Sequence, residues 1–175
     1  GKLDLSNNIS STSTFYAIQF GIKYCNELYL PQNKYSYSGG WSGINKLYIQ
    51  DIATYCNSSF STYASIATAS EIYTKDLNTG EYIQITNFNP SDWGVSNIPA
   101  YAFYGCKAIT VYDATSIKVH NTYVFYNSGI KTLKLDNFDG TGTIAAYAFA
   151  SCASLETITD MSTQPWATLN ATAFK

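Results

Sequence analysis

Phe103, Phe125, Phe149 and Phe174 follow one another at steps of 22, 24 and 25 residues, and each stands in a similar local setting. Ile98-Pro99-Ala100-Tyr101-Ala102-Phe103 returns as Ile144-Ala145-Ala146-Tyr147-Ala148-Phe149 and as Leu169-Asn170-Ala171-Thr172-Ala173-Phe174, with a looser copy at His120-Asn121-Thr122-Tyr123-Val124-Phe125. A unit of this length cannot enclose a core of its own. It must stack on its neighbours, which restricts the chain to a solenoid or a related array.

Each Phe leads into a second block, Cys106-Lys107-Ala108-Ile109, Ser128-Gly129-Ile130 or Cys152-Ala153-Ser154-Leu155, after which an alternating strand begins. Gly43-Ile44-Asn45-Lys46-Leu47-Tyr48-Ile49 matches Gly129-Ile130-Lys131-Thr132-Leu133-Lys134-Leu135, so the array extends into the N-terminal half. Aligned on their first inward residue, the strands are marked by Leu3, Leu28, Leu47, Ile72, Tyr112, Leu133 and Ile158, at steps of 25, 19, 25, 40, 21 and 25 residues. This predicts one domain over residues 1–175 with about seven coils.

Because side chains alternate along a strand, the residues flanking each inward position face outward. Before the inward residue stand Lys2, Glu27, Lys46 and Glu71, alternating in sign; after it stand Asp4, Tyr29, Tyr48 and Tyr73. The register thus predicts a column of opposite charges beside a column of three tyrosines, with neighbouring members about 4.8 Å apart.

The 40-residue step points to an insertion. Glu71 to Thr74 and Glu81 to Ile85 flank Leu77-Asn78-Thr79-Gly80 as two strands around a turn, predicting a β-hairpin near residues 71–86. The polar stretch from Asn87 to Ser96, with Pro90 and Gly94, reads as loop. Residues 75–97 are therefore expected to lie outside the repeat core.

The repeats resemble the BspA-type leucine-rich repeats of surface proteins from gut and oral anaerobic bacteria. Ala102-Phe103-Tyr104-Gly105-Cys106-Lys107-Ala108-Ile109 and Ala148-Phe149-Ala150-Ser151-Cys152-Ala153-Ser154-Leu155 carry the resemblance. Gly21-Ile22-Lys23-Tyr24-Cys25-Asn26-Glu27-Leu28 follows it with Ile for Phe. The match is strong over residues 98–175 and loose before them. It implies a leucine-rich-repeat solenoid, a right-handed coil with one parallel β-sheet face and short helical or irregular segments on the other, serving adhesion or recognition. It implies no catalytic residue and no cofactor.

Composition narrows the function further. Charged residues make up 13% of the chain and its net charge is −2, so it lacks the basic footprint of a nucleic-acid binder. No apolar run is long enough to span a bilayer. A surface covered by Ser, Thr, Asn and 16 Tyr fits an extracellular or cell-surface location. The first strand begins almost at residue 1, so an export signal is expected to lie outside this sequence.

Among residues that invite a chemical reading, His120 occupies the slot of Ile98, Ile144 and Leu169 and reads as a packing or edge residue. Without a second histidine or a Cys/His spacing, no metal site is expected. Cys106 and Cys152 share a slot two coils apart, roughly 9.6 Å, beyond disulfide reach, and all four cysteines read as free thiols. Asp113, Asp136, Asp139 and Asp160 follow strands and could cluster on one rim as a glycosidase would require, but turn-forming aspartates explain them more simply. Asp139-Gly140-Thr141-Gly142-Thr143 lacks the further acids of a calcium loop and the Lys of a phosphate loop. The sequons at Asn8, Asn57 and Asn170 carry weight only in a glycosylating host.

The expected function is therefore a binding or adhesion module that takes a protein or glycan ligand through its exposed sheet face. The candidate site is Tyr29, Tyr48 and Tyr73 with Glu27, Lys46 and Glu71. A structural spacer is the alternative, and a glycoside-acting enzyme comes third. End-to-end self-association is a further expectation, since a terminal coil exposes apolar core and an unpaired strand edge.

Overall fold

A computed structural model describes residues 1–7, 25–32, 36–37, 43–61 and 66–175. Asn8 and the segment 21–24 of the first repeat block lie outside the described residues. The inward residues Leu28, Leu47 and Ile72 are fully buried, as the alternation requires. Strands Lys2–Asp4, Glu27–Tyr29, Lys46–Ile49 and Glu71–Lys75 pair in parallel, with Leu3, Leu28, Leu47 and Ile72 in register. In the C-terminal half Asn87–Phe88, Val111–Asp113, Thr132–Leu135 and Thr157–Asp160 form a second parallel stretch, with Phe88, Tyr112, Leu133 and Ile158 in register. The fold is a parallel-strand solenoid with little helix.

Between the two stretches Tyr82–Gln84 folds back antiparallel onto Glu71–Lys75, forming the expected hairpin and ending the first parallel ladder. Its turn is held by Asp76, whose carboxylate accepts from the backbone N–H of Asn78 and Thr79 at 2.9 and 2.8 Å.

The boundary of the insertion needs correcting. Asn87–Phe88 is a strand of the repeat ladder and not a loop, and Phe88, Val95 and Ile98 are buried in the core. The 40-residue step therefore holds a complete coil, divided at Phe88 into steps of 16 and 24. Asn89 and Pro90 looked like loop chemistry because they end the strand at once. Asn89 caps the single turn Pro90–Trp93 by accepting from Ser91 N–H at 3.2 Å, and Gly94 closes it in the left-handed conformation.

A further parallel row of short strands, Val119–His120, Thr143–Ile144 and Thr168–Leu169, forms another side of the C-terminal coils. Inside, Phe103, Phe125, Phe149 and Phe174 stack in succession with ring centroids 4.9, 6.3 and 5.5 Å apart. The turns that carry them are joined by backbone bonds from Phe103, Phe125 and Phe149 N–H to the next coil at 3.0, 2.9 and 2.8 Å. These packed rings and satisfied amides hold the coils in file. Tyr55, on the one α-helix among the described residues, Ile52–Cys56, ties the halves together by donating to the Ala102 carbonyl at 2.6 Å.

Candidate functional site

Side chains on the solvent face of a parallel sheet lie one strand spacing apart, which for aromatic rings is stacking distance. Tyr29, Tyr48 and Tyr73 occupy consecutive strands in direct register. Tyr29 and Tyr48 stack with centroids 4.1 Å apart and planes 4° from parallel; Tyr48 and Tyr73 stack at 4.8 Å and 14°. All three are half-buried. The structure thus brings together the three tyrosines that the register singled out.

A fourth ring joins them. Tyr82, on the returning strand of the hairpin, lies nearly perpendicular to Tyr48 and Tyr29, at 5.1 and 5.9 Å. It was invisible to the register argument because it belongs to an antiparallel strand outside the repeat. The only sequence signal was the hairpin itself, whose alternation puts Tyr82 and Gln84 on one face. Lys75 stands over the Tyr82 ring at 5.6 Å and Lys2 over the Tyr29 ring at 4.1 Å, both positioned for cation–π attraction. Ring faces in the cluster are therefore largely taken by one another and by lysines, leaving ring edges toward solvent.

The charge column forms only in part. Lys46 and Glu71 approach to 3.8 Å across neighbouring strands. Lys2 turns instead to Asp4 on its own strand at 3.3 Å, and Glu27 makes no ion pair among the described residues. Exposed lysine and glutamate gain little from pairing at the surface, so their own strand and the adjacent rings compete effectively. The Tyr73 hydroxyl donates to Glu71, two residues back on the same face.

These neighbours hold three of the hydroxyls further from ionisation. Partial burial, then the Tyr29 hydroxyl and the nearby carboxylate of Glu27, push Tyr48 up to about 12. The hydrogen bond to Glu71 raises Tyr73, and burial followed by the charge of Asp4 raises Tyr82. At neutral pH these hydroxyls are hydrogen-bond donors, set among Lys2, Lys46 and Lys75 and the carboxylates of Asp4, Glu27 and Glu71.

The other chemically suggestive residues are used in packing and turns. Asp113 accepts from Thr115 Oγ1 at 2.8 Å and from Lys134 Nζ at 2.9 Å. Asp139 accepts from Thr141 and Lys118, and Asp160 from Ser162 and from Trp166 Nε1 at 3.1 Å. Asp136 keeps one buried oxygen without a partner among the described residues. His120 is buried in line with Ile98 and Ile144, against Phe149 and Trp166, and neither ring nitrogen has a partner there. All four cysteines are free thiols; Cys152 packs with its Sγ 3.2 Å from Ser128 Oγ, in the slot shared by successive coils. No helix among the described residues is long and apolar enough to cross a membrane.

Neither a curated protein nor a solved structure matches the chain. The family model for the BspA type leucine-rich repeat region does, with 6 copies over residues 78–175, beginning in the hairpin and running through every coil that carries a Phe turn. Since that match takes in more than half of the chain, and the same strand spacing continues upstream of it, the protein belongs to the BspA type leucine-rich repeat family.

Proposed function

We propose that residues 1–175 form one repeat domain acting as a binding or adhesion module of a cell-surface or secreted protein, and that it recognises a protein or glycan ligand through the outer face of its N-terminal sheet. The observation that supports this reading is the column of Tyr29, Tyr48 and Tyr73, aligned on three strands and bordered by Glu27, Lys46 and Glu71. Tyrosines fixed by their neighbours lose little freedom on binding and offer both apolar area and a hydroxyl. With ring faces stacked on one another, the ligand meets ring edges, hydroxyl donors and the flanking charges. Leucine-rich-repeat solenoids are typically non-enzymatic, and Asp113, Asp139 and Asp160 are already engaged in turns.

A glycan and matrix-protein array probed with the whole chain tests the proposal. Binding confined to one ligand class, at micromolar or tighter affinity, is the expected result. A chain that binds nothing on either array is a spacer, and the proposal fails.

A further inference from the structure

The four rings of the N-terminal cluster differ in how readily each would give up an electron. Tyr29 lies under the ammonium of Lys2 at 4.1 Å and Tyr82 under that of Lys75 at 5.6 Å. A cation over a ring face holds the π electrons more tightly, so both rings become harder to oxidise. Tyr48 and Tyr73 carry no such cation among the described residues, and they stack on each other at 4.8 Å and 14°. The negative face of Tyr48 against Tyr73 favours loss of an electron there.

At neutral pH a phenol that loses an electron must also lose its hydroxyl proton, and an acceptor already bonded to the hydroxyl lets both leave together. Of the four hydroxyls, only that of Tyr73 is bonded to a carboxylate among the described residues: it donates to Glu71, whereas Tyr48 shares its hydrogen bond with the Tyr29 hydroxyl. Lys46 approaches the same Glu71 oxygen to 3.8 Å, but a lysine pair at the surface is weak and leaves the carboxylate able to take a proton. Exposure alone does not single out Tyr73, since all four rings are half-buried. Its surroundings do.

We propose that Tyr73 is an oxidative modification site, at which an oxidant of the haem-peroxidase class joins this chain to a phenol carried by another molecule, with Glu71 as the proton acceptor. The oxidised peroxidase takes one electron from Tyr73 while the hydroxyl proton passes to Glu71, leaving a neutral phenoxyl radical and a carboxylic acid that returns its proton to water. The second phenol is oxidised by the same peroxidase. The two radicals form a carbon–carbon bond between ortho carbons, and the hydrogen on each of those carbons moves to its own ring oxygen, restoring both hydroxyls. In sum, two phenols and one hydrogen peroxide give one biphenol and two waters. Coupling inside the column is disfavoured, because strand pairing holds its rings face to face about 4.8 Å apart whereas the new bond joins ring edges. Tyr73 ends the stack, with Gln84 in register beyond it, and Tyr82 packs on Tyr48 and Tyr29, so an incoming phenol meets the Tyr73 edge. The modification uses the cluster proposed for recognition but does not require a ligand to be bound there.

Treating the whole chain with a haem peroxidase, hydrogen peroxide and N-acetyltyramine, followed by peptide mapping by mass spectrometry, tests this. Each coupled tyrosine gains one probe molecule less two hydrogens. Tyr73 is expected to carry more probe than Tyr29, Tyr48 or Tyr82. Glu71→Gln keeps the shape of the side chain and removes the proton acceptor, so it is expected to lower coupling at Tyr73 at least fivefold, with the melting midpoint and the coupling at Tyr147, which lies outside the cluster, unchanged. The proposal is overturned if the probe is spread evenly over the four rings of the parent chain, or if Tyr73 couples as well in Glu71→Gln as in the parent.

Discussion

In the C-terminal half each coil has a Phe turn, and regularity lies inside: stacked Phe rings, amides bonded from turn to turn, and a further row of short strands. In the N-terminal half the first inward residues Leu3, Leu28, Leu47 and Ile72 are aliphatic, and the most regular aromatic feature lies outside, on the solvent face. Both halves keep the same parallel strand pairing. Stacking of coils is thus enforced by the strands, while side chains are free to be regular on whichever face a half requires. In the C-terminal core aromatic order stabilises; on the N-terminal sheet it is the basis of the proposed recognition.

That contrast predicts unequal responses to losing a ring. Phe125→Ala removes the middle of the internal stack and is expected to cost about 3–5 kcal/mol, seen as a fall of about 10 °C or more in the melting midpoint. A loss below 1 kcal/mol would mean that the Phe column is not the spine of the C-terminal half.

His120 provides the next largest effect. Its burial lowers it to about 4, against an ordinary value of 6.5. In the unfolded chain His120 takes up a proton as the pH falls below 6.5, while the folded protein resists until about 4. The stability associated with a neutral His120 is therefore complete above 6.5 and shrinks on acidification, by about 3 kcal/mol at pH 4. His120→Ile matches the residues in line with it, Ile98 and Ile144. It is expected to raise stability at neutral pH by about 1–3 kcal/mol, through loss of two unpartnered polar atoms, and to flatten the urea midpoint between pH 6.5 and 4. An unchanged pH slope in that variant would place the acid sensitivity elsewhere.

The hairpin separates the two halves and should matter least. Replacing residues 76–81 with a short Gly-Ser link is expected to shift the melting midpoint by only a few degrees, because the turn is exposed and contributes no buried side chain to the core. Extending the replacement to residue 97 takes out Phe88, Val95 and the pairing with Val111–Asp113, and cooperative melting is expected to disappear. Equal tolerance of both replacements would contradict the placement of Phe88 in the repeat.

Much of this architecture could be read directly from the residues. Register was legible because alternation leaves no latitude: a slip of one residue at Leu47 would bury Lys46 and Tyr48. The coil at Phe88 was not, since its strand is two residues long and is ended by Asn89 and Pro90, which are also turn formers. The tyrosine column followed from register, but Tyr82 did not, because its position depends on a chain reversal outside the repeat. Nor did the charge column form as the signs suggested; alternation of sign specifies proximity, and Lys2 had a closer partner on its own strand.

The central claim is that aromatic order on the N-terminal sheet serves recognition more than stability. Tyr48→Ser tests it most directly, since Tyr48 is the member with a stacked ring on each side. Binding to the ligand found on the arrays and the melting midpoint would be measured on the same preparation. The account predicts that binding is lost at least tenfold while stability falls by no more than about 1–2 kcal/mol, the worth of two surface aromatic pairs. Unaltered affinity combined with a clear drop in the midpoint would show that the column is a structural ladder and that recognition lies on another face.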